Sequence, residues 1–163
     1  MFKQVIKIKE KTMEGFSLTT GEISRYLEIT PPFLMIDYVD EIIPGKSALG
    51  VKNLTDDDWF FKCHMQREPT MPGALQIETM LQTLALTIYT MKGHEGMPCF
   101  EVSVNAKLVS KICPGNQLII QANLLSYKRG IAKGAAVGKV NDATVCQGEF
   151  TFASPHDMPR PQG

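Results

Sequence analysis

The longest apolar segment of the chain begins after Gly73 and runs to about Met91. Its hydrophobic residues recur at the three- and four-residue spacings of a helix, and Glu78 is its only charged residue. Because nearly every side of this helix is apolar, the rest of the protein has to enclose it. Two glutamines and four threonines within it argue against a membrane span and favour a buried helix.

Shorter β-like runs lie on both sides of this helix. Before it, residues 33–43 and 48–54 flank a Pro-Gly-Lys turn, which predicts a hairpin. After it come four runs separated by good turn residues, at 100–112, 117–127, 131–140 and 143–153. Short connections between successive strands predict an antiparallel meander.

These elements predict an α+β domain in which a curved antiparallel sheet wraps the long central helix. We assign the domain to residues 1–153, with residues 1–30 as an N-terminal extension and the proline-rich residues 154–163 as a disordered tail. Within the extension, residues 5–9 alternate like a short strand and residues 21–27 favour a turn or two of helix. Because one sheet cannot easily cover so apolar a helix, we expect a second copy of the chain to cover part of it.

Charge bears on the kind of partner, and the N-terminus and the cysteines bear on the compartment. Seventeen basic residues balance seventeen acidic ones, which gives no argument for nucleic acid or an anionic membrane. The N-terminus lacks the apolar run of a secretory signal, which favours the cytoplasm. We expect small, reduced, buried cysteines at the four positions without paired spacing: Cys63, Cys99, Cys113 and Cys146.

No metal site or cofactor is predicted. Zinc binding through Cys63 and His64 is the alternative, but adjacent residues seldom point at one metal and no partner pair is visible. His94 and His156 fall in a predicted loop and in the tail, where we expect them to be solvated.

A histidine, a Pro-Gly break and a lone carboxylate follow one another around the start of the helix. A histidine side chain can both accept and donate a proton near neutral pH, so the residue type at position 64, His64, suits a general base. The helical neighbours of Glu78 are mostly apolar, with Gln82 one turn on, so this carboxyl suits an acid that stays protonated. Gly73 lies where the helix leaves backbone N–H groups free to stabilise a developing negative charge.

This order of residues resembles the β-hydroxyacyl-acyl carrier protein dehydratases. The resemblance rests on Trp-Phe-Phe-Lys-Cys-His at 59–64, on Glu-Pro-Thr-Met-Pro-Gly at 68–73 and on the spacing of Glu78 and Gln82. It covers about residues 30–153 and implies the hot-dog fold, a long helix in a curled sheet. The cysteine before His64 is similar to the branch that also isomerises its product, whereas glutamate at 78 is similar to the branch that only dehydrates.

The resemblance implies conversion of a (3R)-3-hydroxyacyl thioester on acyl carrier protein to the trans-2-enoyl thioester, in fatty acid or polyketide synthesis. It makes His64 the base and Glu78 the acid, and it places the oxyanion contact at Gly73. We add Thr70 and Gln82 as candidate substrate-binding residues. The resemblance also implies a homodimer in which His64 of one subunit faces Glu78 of the other, with a trimer of dimers as a larger assembly.

Two other functions stay open. A hot-dog thioesterase would use the carboxylate to activate water, and a non-catalytic acyl-binding or assembly module would bind acyl carriers without turnover. The chain departs from the family pattern at residues 65–67, which bears on the loop that aims His64. Scattered basic residues either form a rim for an acidic carrier protein or are ordinary surface: Lys107, Lys111, Lys128, Arg129 and Lys133.

Overall fold

A computed structural model describes residues 14–161 of the chain. The strand predicted at residues 5–9 lies outside the described residues. The described elements are two helices, α1 (Thr20–Leu27) and α2 (Gly73–Tyr89), and seven strands, β1 (Phe16–Leu18), β2 (Tyr38–Ile43), β3 (Ser47–Asn53), β4 (Phe100–Leu108), β5 (Gln117–Lys128), β6 (Ile131–Val140) and β7 (Ala143–Ala153). Two 3-10 helices complete them, Trp59–Lys62 and Pro155–Asp157.

The central helix is enclosed as its sequence predicts. Every residue of α2 from Thr79 to Ile88 is buried, and the helix packs on the inner face of the sheet. The α+β arrangement of a long helix in a curved antiparallel sheet is therefore confirmed. Among residues 14–161, no helix has the length and apolarity needed to cross a membrane.

The strands form one antiparallel sheet in the order β1-β2-β3-β5-β6-β7-β4. The predicted hairpin is confirmed, since β2 pairs with β3 across the turn at residues 44–46. The predicted meander of four strands is wrong for β4, which pairs with β7 and not with β5. The reason is the length of the connection between β4 and β5. Residues 109–116 cross from one side of the sheet to the other, with Ile112 buried. A two-residue turn would instead have made β4 and β5 neighbours.

Strand β4 is an edge of the sheet and is poorly covered. Its side chains Phe100, Val102, Val104 and Leu108 are 46–59% exposed. The pairing register of β4 with β7 shifts between Glu101 and Ser103, so Val102 is a β-bulge without a partner on β7. As a result Glu101 pairs with Phe152, whose side chain faces the core. An exposed, apolar strand edge is a surface that another chain can cover.

The C-terminal segment differs from the expected disorder in its described part. Ser154 is buried, its backbone N–H donates to the Gly130 carbonyl oxygen at 2.7 Å, and the 3-10 helix Pro155–Asp157 follows. Gly130 allows this approach because its φ is positive, at 75°. The domain boundary at residue 153 stays a prediction.

Small residues on the inner sheet face let α2 lie close to the strands. A Cβ added at Gly134 would lie 2.6 Å from Leu84 Cδ1 and 2.9 Å from the backbone oxygen of Asn123, which cannot move aside. A Cβ added at Gly21 of α1 would meet nothing within 4 Å. The two glycines therefore differ in what an alanine would do.

We expect Gly134→Ala to lower the free energy of unfolding by about 1–3 kcal/mol, the usual effect of overpacking. Gly21→Ala is the matched control and should leave stability unchanged or raise it by up to ~1 kcal/mol, because alanine favours helix. Urea unfolding midpoints measure both. Equal midpoints for Gly134→Ala and wild type would show that α2 does not press on β6.

Candidate active site

His64 follows a short, well-anchored helix. Within Trp59–Lys62, Phe60 and Phe61 are 0% and 6% exposed and belong to the core. Trp59, by contrast, is 43% exposed and lies outside this core. The two phenylalanines fix the backbone from which His64 projects.

A buried lysine, which the sequence pattern did not reveal, fixes the start of the same helix. Lys52 on β3 is 7% exposed, and its Nζ lies 2.8 Å from Asp58 Oδ1 and 3.4 Å from Asp37 Oδ1. Asp58 Oδ2 also accepts the Thr55 backbone N–H at 2.9 Å. A buried cation requires such partners, and here they fasten residues 55–58 to the sheet.

Among residues 14–161, only one ring nitrogen of His64 has a hydrogen-bond partner. Its Nδ1 lies 3.0 Å from the Thr70 carbonyl oxygen. Because a carbonyl only accepts, Nδ1 carries the hydrogen and Nε2 of the neutral ring keeps its lone pair. Thr70, expected at the substrate, thus contacts His64 through its backbone, and His64 Nε2 is placed to accept a proton.

Gly73 is the first residue of α2, after Pro72. Within residues 14–161, no hydrogen-bond acceptor meets the backbone N–H of Gly73 or Ala74, and no side chain caps this helix end. A Cβ at Gly73 would collide with the end of the Leu108 side chain on β4. This side chain end is flexible and half-exposed, so it can move aside, and the Gly73 amide stays available to an anion.

Glu78 and Gln82 meet on one face of α2. Gln82 Nε2 donates to Glu78 Oε1 at 2.8 Å and to the Phe33 carbonyl oxygen at 2.9 Å. Gln82 Oε1 accepts the Met35 backbone N–H at 2.8 Å, and the residue is 2% exposed. With its amide fully engaged, Gln82 holds Glu78 and has little left to offer a substrate.

The Glu78 carboxyl opens into a cleft of about 160 Å³ between α1, α2 and β4. Burial raises its pKa, the hydrogen bond from Gln82 lowers it, and the nearby charge of Glu101 raises it again. The net shift is upward, which favours the protonated acid. Apolar and polar side chains line this cleft in similar measure: Leu27, Ile29, Glu78, Leu81, Gln82, Ala85, Tyr89, Cys99 and Glu101.

Two cleft residues, Tyr89 and Glu101, escaped the sequence analysis. Tyr89 lies about three turns after Glu78, a spacing that could have indicated a shared face. Its hydroxyl accepts the Cys99 backbone N–H at 3.0 Å, and burial raises the pKa of Tyr89 to about 12. Glu101 reaches the cleft only because of the bulge at Val102, which no periodicity shows.

The structure pairs His64 with Thr70 and Glu78 with Gln82, but His64 and Gly73 do not line the cleft that holds Glu78. One described chain therefore does not bring the two halves of the predicted site into a single cleft.

The cysteines and the remaining histidines correct other expectations. Cys146 is buried, whereas Cys63 is exposed and the other two cysteines are half-buried, so the expectation of burial holds only for Cys146. His94 and His156 are not simply solvated, because each contacts Asp157. Cys63 and His64 belong to no cluster of potential metal ligands within residues 14–161.

The fold is that of a hot-dog protein, with His64 before its central helix and Glu78 on it. A dehydratase heterocomplex, ApeI:P from Xenorhabdus doucetiae, matches it with a TM-score of 0.68 at 17% sequence identity, over 82% of this chain and 90% of that one. This likeness confirms the fold.

Sequence comparison gives the family. A FabA-like domain matches residues 28–149. The 3-hydroxyacyl-[acyl-carrier-protein] dehydratase FabZ of Syntrophomonas wolfei is 36% identical, covering 86% of this chain and 99% of that protein. The enzyme of the same name from Caldicellulosiruptor bescii is 37% identical over 80% of this chain and 96% of its own length. The chain belongs to the 3-hydroxyacyl-[acyl-carrier-protein] dehydratase family.

The negative charge of Glu101, which lines the same cleft as Glu78, gives a prediction. Replacing Glu101 by glutamine removes a negative charge that disfavours ionisation of Glu78, so Glu101→Gln should lower the pKa of Glu78. Glu78 then loses its proton at a lower pH than in wild type. NMR titration of the glutamate carboxyl carbons measures this shift.

Glu149→Gln on β7 is the control, because this residue has no part in the pKa shift of Glu78. The same downward shift in both variants would mean that net charge, not the cleft geometry, sets the pKa.

Proposed function

We propose that this protein is a dehydratase that converts a (3R)-3-hydroxyacyl thioester on acyl carrier protein to the trans-2-enoyl thioester, in fatty acid or polyketide synthesis. The observation that carries the proposal is Glu78, a carboxyl that is held by Gln82 at a cleft and whose pKa is raised by burial. The names of the relatives support the same reaction. The cytoplasmic location expected from the sequence stays part of this proposal.

The chemistry follows from the free atoms of each group. His64 Nε2 takes the proton from C2 of the acyl chain, and Glu78 protonates the hydroxyl on C3. The C2–H and C3–O bonds break, the double bond forms between C2 and C3, and water leaves. The free N–H of Gly73 at the positive end of α2 stabilises the charge that develops on the thioester oxygen. Proton exchange with solvent then restores both side chains.

A homodimer completes the proposed site. The exposed apolar edge of β4 supports pairing with a second copy, because an uncovered edge of this kind favours association. The separation of His64 from the Glu78 cleft supports a site in which each subunit supplies one of the two groups. Assembly into trimers of dimers and a basic rim for the carrier protein stay predictions; Lys111 of that rim is paired with Glu68.

A single assay tests the reaction. The substrate is a short 3-hydroxyacyl thioester, and enoyl formation and free thiol are followed together. His64→Ala and Glu78→Gln should each reduce enoyl formation by at least roughly 100-fold, as expected for loss of a general base or acid. Glu149→Gln, an exposed carboxylate on β7, should retain wild-type turnover.

Thiol release without enoyl would instead identify a thioesterase. Binding of the acyl carrier with neither product, unchanged by Glu78→Gln, would identify a non-catalytic module. Full activity in His64→Ala would contradict the mechanism.

The shared site has its own test. His64→Ala and Glu78→Gln chains with different affinity tags are co-expressed, and the heterodimer is purified. If each site combines His64 of one subunit with Glu78 of the other, one of the two sites is intact, and turnover should be about half that of wild type for a symmetric dimer.

The reciprocal heterodimer is the control. It pairs a wild-type chain with one carrying both substitutions, so neither shared site is intact and activity should be lost. The opposite result, an inactive first heterodimer and a half-active second one, would place each complete site within a single chain.

A further inference from the structure

A cluster of three potential metal ligands lies away from the proposed catalytic groups. His94 belongs to the loop after α2, whereas His156 and Asp157 belong to the 3-10 helix after β7. One ligand atom from each lies within 4.8 Å of the other two. The side chains are 18%, 23% and 34% exposed, so they are partly desolvated yet reachable from solvent.

Two imidazole nitrogens approach one carboxylate oxygen. His94 Nε2 lies 2.9 Å from Asp157 Oδ2, and His156 Nε2 lies 3.5 Å from the same atom. His94 Nδ1 faces the Lys92 carbonyl oxygen at 3.4 Å, so both ring nitrogens of His94 face acceptors. If Nδ1 carries the hydrogen, the lone pair of Nε2 points at a carboxylate, and a cation at that position removes the repulsion.

Tyr127 contacts two of these potential ligands. The Tyr127 hydroxyl donates to Asp157 Oδ2, and its ring packs edge-on against His94 at 5.3 Å between centroids. Carbonyl contacts to the second nitrogen of a histidine, and donors to a ligating carboxylate, are the usual outer partners of metal ligands. The arrangement therefore has both ligands and supporting contacts.

We infer that His94, His156 and Asp157 form a binding site for a divalent transition metal of the zinc class. Two imidazoles and one carboxylate suit Zn²⁺, Co²⁺ or Ni²⁺, whereas Mg²⁺ and Ca²⁺ prefer oxygen ligands throughout. Two of the three ligands follow residue 149, where the match to the FabA-like domain ends. The third ligand, His94, lies within the matched residues, so the site joins the matched domain to the segment that follows it.

The metal joins two segments that are distant in sequence. It ties the loop after α2 to the segment after β7, and that loop leads into Cys99 and Glu101 of the cleft. Its role is structural: it fixes one wall of the cleft and contributes no group to the proposed reaction.

Cobalt titration of the full-length, chelator-treated, reduced protein tests the inference. We expect one Co²⁺ per chain, with visible absorption bands but no thiolate charge-transfer band, and a rise in melting temperature with Zn²⁺. His94→Asn and His156→Asn should abolish this binding. Tyr127→Phe should weaken it by roughly 10–100-fold, as loss of an outer partner does.

His64→Asn is the matched control, because it removes the third histidine of the chain and leaves the cluster intact. It should bind Co²⁺ as wild type does. Circular dichroism of each variant without metal confirms that it is folded. Wild-type protein that binds no metal, or binding that carries a thiolate band or survives both His94→Asn and His156→Asn, would overturn the inference.

Discussion

The packing of α2 against the inner face of the sheet is the constraint on which the other features depend. Burying Thr79 to Ile88 requires every polar group there to find a partner inside the protein. The threonines meet this requirement within the helix: Thr79 Oγ1 donates to the Leu75 carbonyl oxygen at 2.7 Å, and Thr83 Oγ1 donates to that of Thr79 at 2.8 Å. Glu78 stands at the border of this buried stretch, where a carboxyl can be desolvated and still reach a cleft.

The central helix, the first hairpin and the later strands could be predicted because each has a strong local pattern. The position of β4 could not, since residues 109–116 allow either a hairpin or a crossing and only tertiary packing selects between them. The same limit applies to β1, a three-residue strand without a periodic pattern of its own.

The predicted site shows a similar division. Sequence spacing placed Gln82 beside Glu78, because residues four apart on a helix are neighbours. It could not show that Gln82 is saturated by Phe33 and Met35, which are remote in sequence. Glu101 was invisible for a related reason, since a single bulged residue moves a side chain from one sheet face to the other.

The hydrogen bonds of Gln82 also affect the stage of folding at which the Glu78 carboxyl reaches its final orientation. They join residues 47 and 49 positions apart, so an isolated α2, even if helical, cannot hold the Glu78 carboxyl in its final orientation. The carboxyl is oriented only when the segment before β2 has docked, a long-range step that follows local helix formation. The raised pKa of Glu78 therefore returns only when the tertiary structure is complete. A state in which α2 is helical but the segment before β2 is undocked would not show this raised pKa.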